Sequence, residues 1–70
     1  MPVIIDGPAL RRTRQQRLLT INELAAKSKV SPRTIEYNEN GTDHLPDART
    51  IKKLAKALGI PAADFTLWVE

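Results

Sequence analysis

The sequence predicts an all-α fold, a compact bundle of five short helices, on three observations. Residues 20–41, TINELAAKSKVSPRTIEYNENG, write two complete helix starts and one helix stop around a short turn. Ile51, Leu54, Ala55 and Leu58 fall at i, i+3, i+4 and i+7, the spacing of one buried helical stripe. No segment alternates apolar and polar residues convincingly, as a half-buried strand would.

Met1 to Ile5 is a short apolar arm, and residues 1–7 precede the domain proper, residues 8–70. Asp6-Gly7-Pro8 turns the chain and starts the first helix, with Pro8 near its first position, where a missing N–H costs nothing. That helix runs to about Leu18. Its apolar residues, Ala9, Leu10 and Leu18, are sparse, and the long stems of its arginines can lie over the core. The second helix, about Ile21 to Ser28, begins with a capping box. The Thr20 hydroxyl can accept from the Glu23 amide while the Glu23 carboxylate reaches back, and Leu19 and Leu24 are placed as a hydrophobic staple. Leu24 and Ala25 are its buried residues. Ser31 caps the third helix, Pro32 takes its first position, and Val30 and Ile35 staple it. Ile35 anchors this helix in the core, and Asn40-Gly41 ends it. Two short helices joined by so brief a turn read as a helix-turn-helix. The loop that follows is polar up to Leu45, and Asp47 caps a fourth helix, Ala48 to Leu58, which Gly59 stops. A fifth helix is expected from Pro61 or Ala62 to Val69, contributing Phe65 and some of Leu67, Trp68 and Val69 to the core.

Seventy residues make one small domain, and a chain of this size buries only about 60 to 65% of its unfolded surface, which leaves a narrow stability margin. With no cysteine and a single histidine, neither a disulfide nor zinc can staple it. Well-capped helices must do so. No apolar run approaches the roughly 20 residues of a membrane span, and Val3-Ile4-Ile5 is too short for a signal peptide. The expectation is a soluble, cytoplasmic protein. Its net charge of +3 is unevenly placed: residues 1–37 carry +4 and the remainder −1. A basic half that coincides with the helix-turn-helix is the electrostatic footprint of a phosphate-binding face, although charge alone favours a solvated basic surface.

LRRTRQQRLLTINELAAKSKVSPRTIEYNENG followed by TIKKLAKALGI resembles the Cro and phage-repressor family of helix-turn-helix proteins, also called XRE-like, over about Leu10 to Phe65. The ELA of the second helix, the Val30-Ser31 turn, Ile35, the ENG at 39–41 and the LAKALGI of the fourth helix all fall at the family's spacing. The resemblance implies a phage-repressor-like DNA-binding domain. It also implies a transcriptional regulator, a repressor, that binds double-stranded operator DNA as a homodimer and is encoded by a bacterium, phage or plasmid. It places the third helix, about residues 32–40, in the major groove, with Pro32, Arg33, Glu36 and Tyr37 facing base edges. A guanidinium at Arg33 can donate two parallel bonds to guanine O6 and N7. Tyr37 can touch a base edge, a thymine methyl or a phosphate, or can instead lie as a partly buried ring over the second helix. Pro32 can meet a thymine methyl, though its place at the helix start already explains it. Thr20, Lys29, Ser31 and Asn40 match phosphate-contacting positions at helix ends. Arg14 and Glu39 match the ion pair that ties the first helix to the end of the third.

The chain departs from the family pattern at three positions. Ile21 replaces the Gln that holds a phosphate at the start of the second helix, which removes one anchor. Lys29 replaces the Gly of the turn, at a cost of roughly 1 kcal/mol if the backbone is left-handed there. Asn38 replaces an apolar residue facing the core, where an amide without partners costs about 1 to 3 kcal/mol. Either Asn38 bonds to the following loop or Tyr37 takes over the core position. That loop, Thr42-Asp43-His44, holds no basic cluster for the DNA backbone.

Two other functions compete. The same bundle can be a protein-interaction module, antitoxin-like or coactivator-bridging, with the apolar ends Val3 to Ile5 and Leu67 to Val69 as its contact surface and Trp68 at any seam. An enzyme is the second rival, and the sequence argues against it. His44 stands with only Asp43 and Asp47 near it, and no nucleophile, phosphate cradle or metal cluster accompanies it. No catalytic residue, cofactor, metal or small-molecule ligand is expected.

Overall fold

The computed structural model describes residues 3–40 and 47–68. In chain order these form β1 (Val3–Ile5), α1 (Gly7–Gln16), α2 (Ile21–Ser28), α3 (Pro32–Asn40), α4 (Ala48–Leu58), a single 3₁₀ turn (Ala62–Phe65) and β2 (Thr66–Trp68). The expected all-α bundle of five helices is therefore corrected to four helices and a small two-stranded sheet. Pro61 enters from extended backbone, the chain makes one tight turn, and Thr66 leaves it extended again. The Thr66 hydroxyl donates to the Ala62 carbonyl at 2.9 Å, closing that turn. The next three residues then pair antiparallel with the chain's start: Val3 opposite Trp68, Ile4 opposite Leu67 and Ile5 opposite Thr66. Cross-strand pairs of β-branched and aromatic residues support such a ribbon. The Asp6 amide extends the ladder by donating to the Phe65 carbonyl at 2.8 Å.

Asp6 caps α1, its carboxylate accepting from the Ala9 amide at 3.2 Å. The helix ends at Gln16, two residues earlier than expected, because Leu18 adopts the left-handed conformation with φ 58°. The Leu19 amide then reaches the Arg14 carbonyl at 3.2 Å and the Leu18 amide reaches that of Gln15 at 2.9 Å. This closure normally uses Gly, and a leucine in it costs about 1 to 2 kcal/mol. Leu18 is 88% exposed, so it is not the core residue the sequence suggested.

α2, α3 and α4 span the expected residues. Asp47 caps α4 through the Arg49 amide at 3.0 Å, and Gly59, with φ 69°, closes it. Gly41 and the loop that carries Thr42, Asp43, His44 and Leu45 lie outside the described residues, as does Val69.

The core gathers one or more residues from every helix. Leu10, Leu24, Ile35, Leu54 and Phe65 are fully buried, and Ile5, Val30, Ile51 and Leu58 close around them. Ala55 sits only at the core's edge. Gly7 marks the closest approach of two elements. A Cβ there would overlap the Glu39 carbonyl oxygen and lie 2.9 Å from that of Asn38, so only glycine lets α1 start against the last turn of α3. Asn38 is 1% exposed, and its Oδ1 has no hydrogen-bond partner among the described residues. Tyr37 is 54% exposed and does not take over the core position.

Candidate nucleic-acid interface

Local chemistry holds α2 and α3 at a fixed angle. At the start of α2 the Thr20 amide donates to the Glu23 carboxylate at 2.9 Å, and the Glu23 amide donates to the Thr20 hydroxyl at 3.1 Å. The bond from the Thr20 amide, and then that with its hydroxyl, hold the Glu23 carboxyl below its ordinary value near 4.5. At the other end of α2, Lys29 is left-handed with φ 63° and ψ 27°, and its amide donates to the Ala25 carbonyl at 2.8 Å. The turn therefore keeps the backbone that glycine would favour, with lysine in it. The buried Ser28 hydroxyl accepts from the Val30 amide at 3.2 Å and fixes the first two of the three residues between the helices. Ser31 accepts from the Thr34 amide at 3.2 Å, capping α3, and its hydroxyl also donates to that of Thr34 at 2.8 Å.

α3 is divided lengthwise. Ile35, Asn38 and Glu39 face inward, while Pro32, Arg33, Glu36, Tyr37 and Asn40 face solvent. Arg33, Glu36, Tyr37 and Asn40 line one shallow depression of about 290 Å³. The fold thus brings together three of the four expected base-facing residues with Asn40, while Pro32 stands one residue before them at the helix start. The Arg33 guanidinium enters no ion pair or hydrogen bond among the described residues. Lys29 and Ser31 flank the N-terminus of α3, both exposed, and Thr20 is exposed at the far end of α2. Ile21 is half-buried against the core, so the first position of α2 offers apolar surface in place of an amide.

The inward face is tied down by a paired charge. Arg14 Nε donates to Glu39 Oε2 at 2.7 Å and its second terminal nitrogen to Oε1 at 2.9 Å, a two-pronged pair. The remaining nitrogen donates to the Leu19 carbonyl at 2.8 Å. The side chains are 10% and 2% exposed. The hydrogen bond to Glu39 raises the Arg14 pKa above its ordinary value, against the opposing pull of burial. Every nitrogen of Arg14 is engaged, and the pair welds α1 to the end of α3.

Sequence reasoning missed Gly7 and Ser28 as positioning residues. For Gly7 the signal was a glycine directly before the proline of a helix start. Ser28 gave none beyond its place two residues before Val30.

A capped helix, a turn locked by Ser28 and Lys29, and a second helix with one exposed polar face define a helix-turn-helix protein. Residues 10–65 match the helix-turn-helix family. The chain belongs to that family, in its Cro and phage-repressor, XRE-like branch. It is 51% identical over 55 residues to the HTH-type transcriptional repressor RghR of Bacillus subtilis, an alignment covering 79% of this chain and 41% of that protein. It is 38% identical over 60 residues to a putative HTH-type transcriptional regulatory protein of Methanococcus maripaludis, covering 84% of this chain and 18% of the relative. The chain thus spans about two fifths of the first relative's length and less than one fifth of the second's. Among solved structures it is similar to the restriction-modification controller protein C.AhdI from Aeromonas hydrophila, with a TM-score of 0.76, 29% identity and coverage of 83% and 86%. The clp gene regulator ClgR from C. glutamicum superposes with a TM-score of 0.71 at 34% identity, covering 83% and 74%.

Proposed function

We propose that this chain is a sequence-specific, double-stranded DNA-binding transcriptional regulator, a repressor, that acts in the cytoplasm as a homodimer on a palindromic operator. Residues 8–70 carry the DNA-binding unit, and α3 lies in the major groove with half-sites about one helical turn apart. The observation that carries this reading is the solvent-exposed polar face of α3, with an Arg33 guanidinium in its first turn that has no partner among the described residues. A cation in the first turn of a helix is disfavoured by the helix dipole, so its place there calls for a partner outside the chain. In this reading Arg33 addresses guanine, and Pro32, Glu36 and Tyr37 face neighbouring base edges. Thr20, Lys29, Ser31 and Asn40 meet phosphates, and the Arg14–Glu39 pair sets the angle at which α3 is presented.

The exposed Leu67 and Trp68 of the ribbon, 49% and 68% accessible, are the surface on which two copies would close. The same surface is what favours the second reading, a protein-interaction module on this fold. Fluorescence anisotropy with the DNA upstream of the chain's own gene and with a scrambled duplex, each titrated with salt, separates the two. Regulation predicts tighter binding to one duplex and log affinity falling linearly with log salt. Absence of binding at every salt concentration would reject it in favour of the interaction module.

A further inference from the structure

Away from the face of α3, Arg17, Lys27, Lys29, Lys53 and Lys56 line two adjoining grooves of about 370 and 400 Å³, where the C-terminal halves of α2 and α4 meet the end of α1. The grooves share Lys27, Lys56 and Ala57, and no carboxylate lines either of them. Among the described residues the ion pair is that of Arg14 with Glu39, so these five cations stand unpaired. Helix ends attract cations, and three helices end here. Each C-terminus supplies about −0.5 charge, so five cations exceed what the dipoles balance by about +3.5. Lys53 also lies a turn before the last turn of α4, beyond the reach of that effect. The chain's whole net charge is +3, so the repulsion concentrated here calls for a polyanion.

The lining narrows what that polyanion is. No aromatic ring is present to stack a base, and no amide to read one; the walls are Leu19, Ser28, Ala57 and Leu58. Lysines, as flexible point charges, suit phosphates taken without regard to sequence. Lys29, which the reading above places against a phosphate, also belongs to this lining. We infer that the grooves hold the phosphodiester backbone of duplex DNA outside the half-site that α3 occupies. This rests on the DNA-binding reading above and assigns the protein a second, sequence-independent contact through Lys53 and Lys56.

The test compares the wild type with the double variant Lys53→Gln, Lys56→Gln on mixed-sequence duplexes of about one and about three helical turns, roughly 10 and 30 bp. Glutamine keeps the helix propensity of lysine, and circular dichroism verifies the fold. The expected result is a steeper salt dependence of wild-type affinity on the long duplex. The double variant should lower that slope by about 1.8, two phosphates at about 0.9 each, and leave the short-duplex slope unchanged. Lys52→Gln, exposed on the same helix outside both grooves, should leave the long-duplex slope at the wild-type value. An unchanged slope in the double variant, or an equal loss per charge in Lys52→Gln, overturns the groove assignment while leaving the function in place. A wild type that binds neither duplex overturns the DNA-binding reading itself.

Discussion

Arg14 and Arg33 are the same chemical group in opposite settings on two sides of α3. Arg14 is buried, with every nitrogen bonded to Glu39 or the Leu19 carbonyl. Arg33 lies exposed on the outward face, with no partner among the described residues. The first is held by the fold and holds it in turn; the second contributes nothing to the fold that the structure shows. Stability and the proposed recognition can thus be separated across the two faces of α3, Glu39 inward and Arg33 outward, and the separation can be measured.

Glu39→Ala breaks the comparison most severely. It leaves the Arg14 guanidinium buried and unpaired, and should cost about 3 to 5 kcal/mol in denaturant unfolding. Replacing both partners, Arg14→Met with Glu39→Leu, should recover most of that loss. Should the single and double variants unfold alike, the pair would be a bystander in stability. On the outward face Arg33→Ala should move unfolding by less than about 0.5 kcal/mol, while cognate DNA binding weakens by about 1 to 3 kcal/mol and scrambled DNA binding hardly changes. An equal loss on both duplexes would reassign Arg33 to a phosphate.

The turn between the helices joins both regimes. Lys29→Gly removes left-handed strain and should raise stability by up to about 1 kcal/mol, yet weaken binding to every duplex alike. A variant that binds as well as the wild type would strip Lys29 of its phosphate role. The smallest effect belongs to Glu23. Its folded pKa is depressed, so its stabilisation is present above the unfolded value near 4.5 and is lost as pH falls through the folded one. Thermal melts of wild type and Glu23→Gln should therefore converge on acidification, and a gap that persisted would place the effect elsewhere than in the carboxylate.

The parts legible in the sequence were those written in local chemistry. Thr20 with Glu23, Ser31 with Pro32, Asp47 and Gly59 each act within one turn, so α2, α3 and α4 could be bounded from residue order alone. Val3-Ile4-Ile5 and Thr66-Leu67-Trp68 each form a strand only because the other is present. Their pairing joins residues 65 positions apart at the most distant, between Val3 and Trp68. Three-residue strands carry too few positions to show alternation. Leu18 was misplaced for a related reason: its left-handed turn is dictated by carbonyls of α1 seeking donors, and a leucine gives no warning of that. Of the outward face, helical spacing showed which residues share a side. It could not show that Asn38 would stay inward with an orphaned oxygen while Tyr37 remained exposed.

The ribbon also joins the two ends of the described chain. Each helix can begin from contacts a few residues apart, whereas β1 cannot meet β2 until nearly the whole described chain has been drawn into a loop. Closing a loop this long carries an entropic cost that grows with the logarithm of its length, and packing of the helices offsets it by bringing Asp6 and Phe65 together. The single tryptophan of the chain sits on the last strand, opposite Val3. Its emission therefore reports on the ribbon, and in stopped-flow refolding it should settle after the far-ultraviolet circular dichroism signal of the helices.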